Sequence, residues 1–398
     1  MNLWRYFGVT LFLIAAIGFI GANNKSFVIA GGKDEKDKKD KVEAKTDDKK
    51  VTPKTDDKKV EAKTDDKKVT PKTEDKKVEV KTDDKKVEVK TDDKKPEVKP
   101  IPPMPAGEKV TFKAFEKDTT HLQLQETETT QVMTVNNQKV TQTQKQKFLI
   151  EWKSTASGKE YVVVQQVVGI QMDIDIGGNK IKYYSTDAKN PKNPMTDFFE
   201  QLMKNKLTFT ITGDLEKVEK IEGRKEFIKA LGDVNPQMNT LLDQILSEDA
   251  LKRMAEPTWW AFPPKGEIPA SKTWKKDSTL TLGPIGSYKT DFTFTHKETK
   301  DGKDTIDVKT NLTYTAPTQK TGLPFTITSA DLKTEAGTGS ATFDRTKGRF
   351  EKSELTMKLK GTLTIEVGNA KTEVGLEQTQ TSKSTTLDAI PADWKSKQ

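Results

Sequence analysis

The chain of 398 residues has no cysteine and only two histidines. Without cysteine there is no disulfide framework, no thiolate metal or iron–sulfur site, no thiol nucleophile and no lipid-modified N-terminal cysteine. With only His121 and His296, neither a three-histidine metal site nor a His-Glu-x-x-His arrangement can be built. No Gly-x-Ser-x-Gly elbow and no Ser-x-x-Lys set in suitable company is present. A charge of one sign is also lacking. The 68 Lys and Arg stand against 60 Asp and Glu, a net +8, so the chain reads as a polyampholyte rather than a nucleic-acid-binding polycation. These absences leave no evident reaction centre and no cofactor.

The one long apolar run lies at the start. Arg5 precedes the uncharged stretch Phe7 to Ile20, and the small residues Gly21 and Ala22 follow. This is the layout of a secretory signal. Residues 1–30 are therefore expected to be either a signal peptide, cleaved after Ala22 or after Ala30, or an uncleaved anchor. An anchor would be the protein's sole membrane attachment. Twin arginines are absent, which fits the general secretion route. The rest of the chain is expected in the periplasm, the cell envelope or the medium.

Residues 31–105 are low in complexity. A nine-residue unit such as Thr-Asp-Asp-Lys-Lys-Val-Glu-Val-Lys recurs from Thr46, Thr55, Thr64, Thr73, Thr82 and Thr91. Each copy offers too little apolar surface to offset backbone entropy, so a disordered linker is expected. About seventy such residues give a root-mean-square span of roughly 45 Å. Each lysine pair neighbours an acidic pair and no aromatic is interleaved, which argues against a nucleic-acid partner. Pro100 to Pro105 reads as a stiff polyproline hinge before the folded domain.

Residues 106–398 are long enough for a sizeable core. Alternation by two predicts strands at Val110–Phe115, His121–Gln125, Phe148–Lys153, Tyr161–Val168 and Leu207–Gly213. Met172–Ile176 and Lys180–Tyr184 read as a hairpin about Gly177-Gly178. Spacings of three and four predict helices over Met195–Lys204 and Pro236–Ala255, with a shorter turn at Lys225–Ala230. Strands resume with Ser278–Leu282 and continue to Leu387, with turns at Asp301-Gly302 and Lys347-Gly348. The fold class is mainly β or α+β: curved antiparallel sheets of an open or half-barrel type. A first β half (106–194), a helical insert (195–262) and a second β half (263–398) divide it, with the helices on the concave face.

Few residues invite a functional reading. His121 alternates with Gln123 and Gln125 and is expected on a wet face. His296 follows Phe292 and Phe294 and is expected at the core or its rim. Gly337-Thr-Gly-Ser340 lacks the Gly-Lys-Ser/Thr ending of a phosphate loop and reads as a turn. Asp173 and Asp175 share one strand face, a weak hint of a Ca²⁺ site without the remaining ligands. Trp259, Trp260 and Phe262, followed by two prolines, are either a core plug or the gate of an apolar cavity. Such a cavity would lie between sheet and helices, with Leu242 and Ile245 on the helical side.

Three stretches carry a resemblance. Tyr184-Ser-Thr-Asp187 is followed by Pro191 and Pro194. Ile268-Pro-Ala-Ser-Lys-Thr-Trp274 is similar to a Pro-x-x-x-Gly-x-x-Trp signature, with Ala270 and Ser271 where glycine is commoner. Ala341-Thr-Phe-Asp344 leads through Gly348 to Arg349 as a strand–turn–strand unit. Over most of Val110–Leu387 the chain resembles a family of uncharacterised exported bacterial proteins of planctomycete type. The resemblance implies export and a fold, and no activity. The strand–helix–strand layout also resembles, at the level of fold alone, the open-barrel periplasmic lipoprotein carriers.

Two expectations follow, both non-catalytic. One is a structural or interaction module that meets an envelope protein at the end of a charged spacer. The other is a carrier of an apolar, lipid-like or amphipathic ligand. A hydrolase with an Asp/Glu pair is the third reading, and no motif supports it.

Overall fold

The computed structural model describes residues 107–318 and 325–394. The expected signal segment, repeat linker and proline hinge lie outside the described residues.

The domain is built on an antiparallel sheet of twelve strands. The first meander comprises β2 (Thr120–Val135), β3 (Gln138–Ala156), β4 (Glu160–Ile176), β5 (Asn179–Tyr184), β6 (Lys206–Thr212) and β7 (Val218–Glu222). The short strands β1 (Glu108–Lys109) and β8 (Glu267–Ile268) pair separately. The second meander comprises β9 (Thr273–Thr281), β10 (Ser287–Lys300), β11 (Lys303–Thr315), β12 (Thr326–Asp344), β13 (Arg349–Val367) and β14 (Ala370–Leu387). Pairing of β14 with β2 joins the two meanders in the middle of the sheet. The order β7-β6-β4-β3-β2-β14-β13-β12-β11-β10-β9 leaves β7 and β9 as edges, with β5 attached to β4. The sheet does not close.

Four helices connect strands in the middle of the chain. They are α1 (Pro194–Lys204), between β5 and β6, and then α2 (Arg224–Val234), α3 (Asn239–Ile245) and α4 (Glu248–Ala255), between β7 and β9. Local chemistry sets their ends. Asn193 Oδ1 accepts from Thr196 N at 3.0 Å ahead of Pro194, which starts α1. The apolar stripe over 236–255 predicts one helix, yet the structure breaks it at Leu246. Ser247 caps a new helix by accepting from Ala250 N at 3.2 Å, with Glu248 and Asp249 in the first turn. Capping and the helix dipole outweigh continuity of the stripe. The apolar sides of all four helices enter the same core as the sheet. Helix α4 packs against both β7 and β9, so a helix rather than a hydrogen-bond ladder meets these two edge strands.

Turn chemistry holds the hairpins. Asp301 and Gly302 both have positive φ (50° and 72°) between the paired ends of β10 and β11, as a tight two-residue hairpin requires. Asn136-Asn137 does the same between β2 and β3, with φ of 49° and 63°.

Three local expectations are corrected. Val110–Phe115 is not a strand: only Glu108–Lys109 pairs, and the following turn drives Phe112 and Phe115 into the core. Gly337–Ser340 is not a turn but lies inside β12. There a Cβ at Gly337 would strike the backbone of Thr310, and one at Gly339 the backbone of Glu354, so glycine permits close strand approach. His121 is not on a wet face. It is 5% exposed and stacks on Phe115, ring centroids 6.0 Å apart.

His121 belongs to a larger feature. Strands β2 and β3 run well past the apolar alternation that predicts them, because their inner face turns from apolar to polar. Gln142, Gln131 and Gln378 form one cross-strand row, Gln144, Thr129 and Gln380 the next, and Gln146, Thr127 and Ser382 a third. All nine are buried. Hydrogen bonds within strands knit part of this field, as from Gln144 Nε2 to Gln146 Oε1 at 2.6 Å.

Candidate functional site

The open seam holds a cavity of about 320 Å³. Four elements form it: the turn between β6 and β7, the end of α4 with the residues after it, the edge strand β9, and β10 through Phe292.

The first wall is the turn Asp214-Leu215-Glu216. Leu215 has φ of 61°, a conformation that a bulky residue seldom adopts. It is held by Leu215 N donating to Thr212 O at 2.8 Å and Glu216 N donating to Asp214 Oδ1 at 3.1 Å. The Leu215 carbonyl accepts from Trp259 Nε1 at 2.8 Å. The Thr212 hydroxyl first, with turn amides, holds the Asp214 carboxyl below its usual range.

The floor is aromatic. Trp259, 1% exposed, also meets Phe115 edge-on at 5.6 Å. Trp260 packs edge-on against Phe292 at 5.1 Å and Phe294 at 5.0 Å. Beside this floor, Glu256 accepts from Arg253 Nη1 at 2.9 Å. Burial raises the Glu256 pKa against the opposing pull of Arg253.

The second wall is β9. Its core-facing residues are Trp274, Lys276, Ser278 and Leu280, and Lys276 lies directly across from Phe292 of β10. Burial pushes the Lys276 ammonium down to about 8, while Glu256 and Glu216 act in the opposite direction. Lys276 makes no hydrogen bond or ion pair with the described residues.

Of the residues singled out by sequence, Trp259 and Trp260 line this cavity. Phe262 does not: it packs against Phe112 at 5.4 Å and Phe343 at 5.5 Å as part of the core. Leu242 and Ile245 are buried in the helical part of the core, away from the lining. Asp173 is bound to Tyr184 Oη at 2.6 Å and paired with Lys182 at 3.4 Å, while Asp175 caps its own hairpin turn through Gly178 N at 2.8 Å. Among the described residues no group of three or more His, Asp or Glu is placed to hold a metal.

Lys276 escapes the sequence reading because the predicted strand there begins only at Ser278. The available signal is the alternation Trp274-x-Lys276-x-Ser278-x-Leu280, which puts a lysine on an apolar face.

A second polar cluster lies elsewhere. His296 Nε2 is 3.0 Å from Asp304 Oδ1, Thr299 Oγ1 donates to the same oxygen at 2.6 Å, and Arg345 Nε reaches both Asp304 oxygens at 2.9 and 2.8 Å. Arg345 also pairs with Glu108. Burial by itself would raise the Asp304 carboxyl, but Arg345, Thr299 and His296 together hold it below its usual range. This cluster ties β1, the β10–β11 hairpin and the β12–β13 turn together.

Fold and site together define an open antiparallel sheet with a helix at its seam and a cavity in that seam. The chain belongs to a family of unknown function, DUF6263, which matches residues 158–367. No curated protein matches it. Among solved structures it is similar to lipovitellin, in a structure of its lipid–protein interactions. The identity is 11%, 70% of this chain and 26% of that chain are covered, and the TM-score is 0.36. The chain thus spans about a quarter of the lipovitellin chain. It is also similar to OccK5 of Pseudomonas aeruginosa (7% identity, 69% and 99% covered, TM-score 0.19) and to an outer membrane channel from Pseudomonas putida F1 (8% identity, 69% and 98% covered, TM-score 0.20). None of these likenesses carries a functional argument to this chain. Among the described residues no helix is long and apolar enough to cross a membrane.

Proposed function

We propose that this is an exported, non-catalytic binding protein that takes a small amphipathic ligand in the seam cavity, with the charged repeat tract as its spacer. The observation that carries the reading is the cavity: about 320 Å³, with an aromatic floor and a rim of charges of both signs. Ligand pockets run from about 300 to 1,000 Å³ and combine apolar walls with a few placed polar groups, so this one suits a small molecule. Two of its carboxylates already have partners, Glu256 on Arg253 and Asp214 within its own turn.

The test is native mass spectrometry of the full exported chain, purified without detergent, followed by solvent extraction. The reading expects a small co-purifying mass that Trp260→Leu loses while the cooperative melt persists. A bare mass across independent preparations, with no thermal shift from any of a panel of small amphiphiles, would instead favour a structural module on a spacer. The N-terminal residue of the same material reports cleavage after Ala22, after Ala30 or not at all.

A further inference from the structure

The seam cavity contains one core-facing lysine that makes no hydrogen bond or ion pair with the described residues. Lys276 projects from an edge strand on the side that faces the core, between Trp274 and Ser278, and stands opposite Phe292. The other charged groups of the lining are Asp214 and Glu216 on the β6–β7 turn, Arg253 and Glu256 at the end of α4, and Lys275 and Asp277 on β9 itself. Arg253 and Glu256 satisfy each other at 2.9 Å, and Asp214 is occupied by its turn. Of the two lysines of the lining, Lys275 is exposed on the outer face of β9, whereas Lys276 lies on the core-facing side and makes no hydrogen bond or ion pair with the described residues.

A partly desolvated ammonium with open donors gains most from an anion that hydrogen-bonds to it. Next to it, at cross-strand distance, begins the aromatic surface of Phe292 and Trp260. A ligand that satisfies both must place an acidic group next to an apolar body. We propose that Lys276 is the anion-recognising residue of this cavity and that its ligand is a small carboxylic acid with an apolar body. This inference rests on the binding reading above and names its ligand class. Glu216 and Glu256 favour the charged form of Lys276 against burial, so the ammonium persists at neutral pH and is lost as pH rises past about 8.

The probes are 3-phenylpropionate and its neutral amide, 3-phenylpropanamide, titrated into the full chain at pH 7 and followed by tryptophan fluorescence and calorimetry. The acid is expected to bind at least tenfold more tightly than the amide. Lys276→Met should bring the acid to the level of the amide, leaving the amide within twofold, and Lys276→Arg should keep the preference. Acid affinity should fall toward tenfold between pH 7 and pH 9, while amide affinity stays constant. Equal binding of acid and amide, or an acid preference that survives Lys276→Met, overturns the inference and leaves the binding cavity standing. Failure of both probes to bind overturns the inference and counts against the binding reading as well. Near-ultraviolet circular dichroism of both variants separates lost recognition from lost fold.

Discussion

Trp259 and Trp260 are consecutive in the chain and hold opposite banks of the open seam. Trp259 Nε1 donates to Leu215 O at 2.8 Å, in the turn at the β7 edge, while the Trp260 ring lies 5.1 Å from Phe292, beside the β9 edge. Two neighbouring residues thereby span a gap that no strand pairing closes. Trp259→Phe keeps an aromatic ring but removes the donor, leaving the Leu215 carbonyl without it, and gives up part of the buried indole volume. A loss of about 2–4 kcal/mol is expected from the missing bond and the reduced packing together, measured by urea denaturation, and an unchanged midpoint would show that the seam does not depend on this residue.

The Asp304 cluster is a second fastening. Arg345→Met would leave the buried Asp304 carboxylate with only Thr299 and His296, at a cost of about 3–5 kcal/mol. The Asp304 pKa is depressed in the folded state, so its contribution is present above the ordinary carboxylate range and is lost as pH falls through the folded value. Thermal melts of the wild type should therefore drop steeply on acidification, and those of Arg345→Met less so. Parallel curves would count against the assignment.

His121 predicts a different window. Burial first, and then the Arg349 charge, push its pKa down from 6.5 to about 4. The unfolded chain takes up this proton as pH falls through 6.5, and the folded chain does so only near 4. The unfolded state thus binds more protons in between, and stability present above pH 6.5 is lost toward pH 4. The loss amounts to roughly 3 kcal/mol. His121→Phe, which keeps the stack on Phe115, should flatten denaturation midpoints between those two pH values.

Gln131 tests the polar interior. Neither atom of its buried amide has a hydrogen-bond partner among the described residues. Replacing an unsatisfied buried amide by an apolar group of similar shape removes a desolvation cost, so Gln131→Met is expected to raise stability by about 1 kcal/mol. A loss of that size would show that the amide is satisfied in solution.

Periodicity made much of the fold legible. Alternation marked the strand cores, the glycine pair marked the β4–β5 hairpin, and spacings of three and four marked α1 and the helical insert. Legibility ended where the residue types stopped discriminating. Gln and Thr on the inner face of β2, β3 and β14 look like solvent-facing residues, because a single chain does not say what covers a strand. The same blindness placed His121 in water, and it hid Lys276, whose meaning depends on which face of β9 turns inward.

Composition and local pattern by themselves determined the absence of thiol chemistry, the low-complexity tract, the mainly β domain and its central helical insert. These are properties of windows a few residues wide, in which entropy, propensity and turn chemistry decide. The tertiary structure alone decided that β14 pairs with β2, that β7 and β9 become edges, and that α4 packs against both. It also separated Trp259 and Trp260 from Phe262, giving the first two to the cavity and the third to the core. Such outcomes follow from contacts between residues far apart in sequence, and they are fixed only when the whole sheet selects its register and buries one common core.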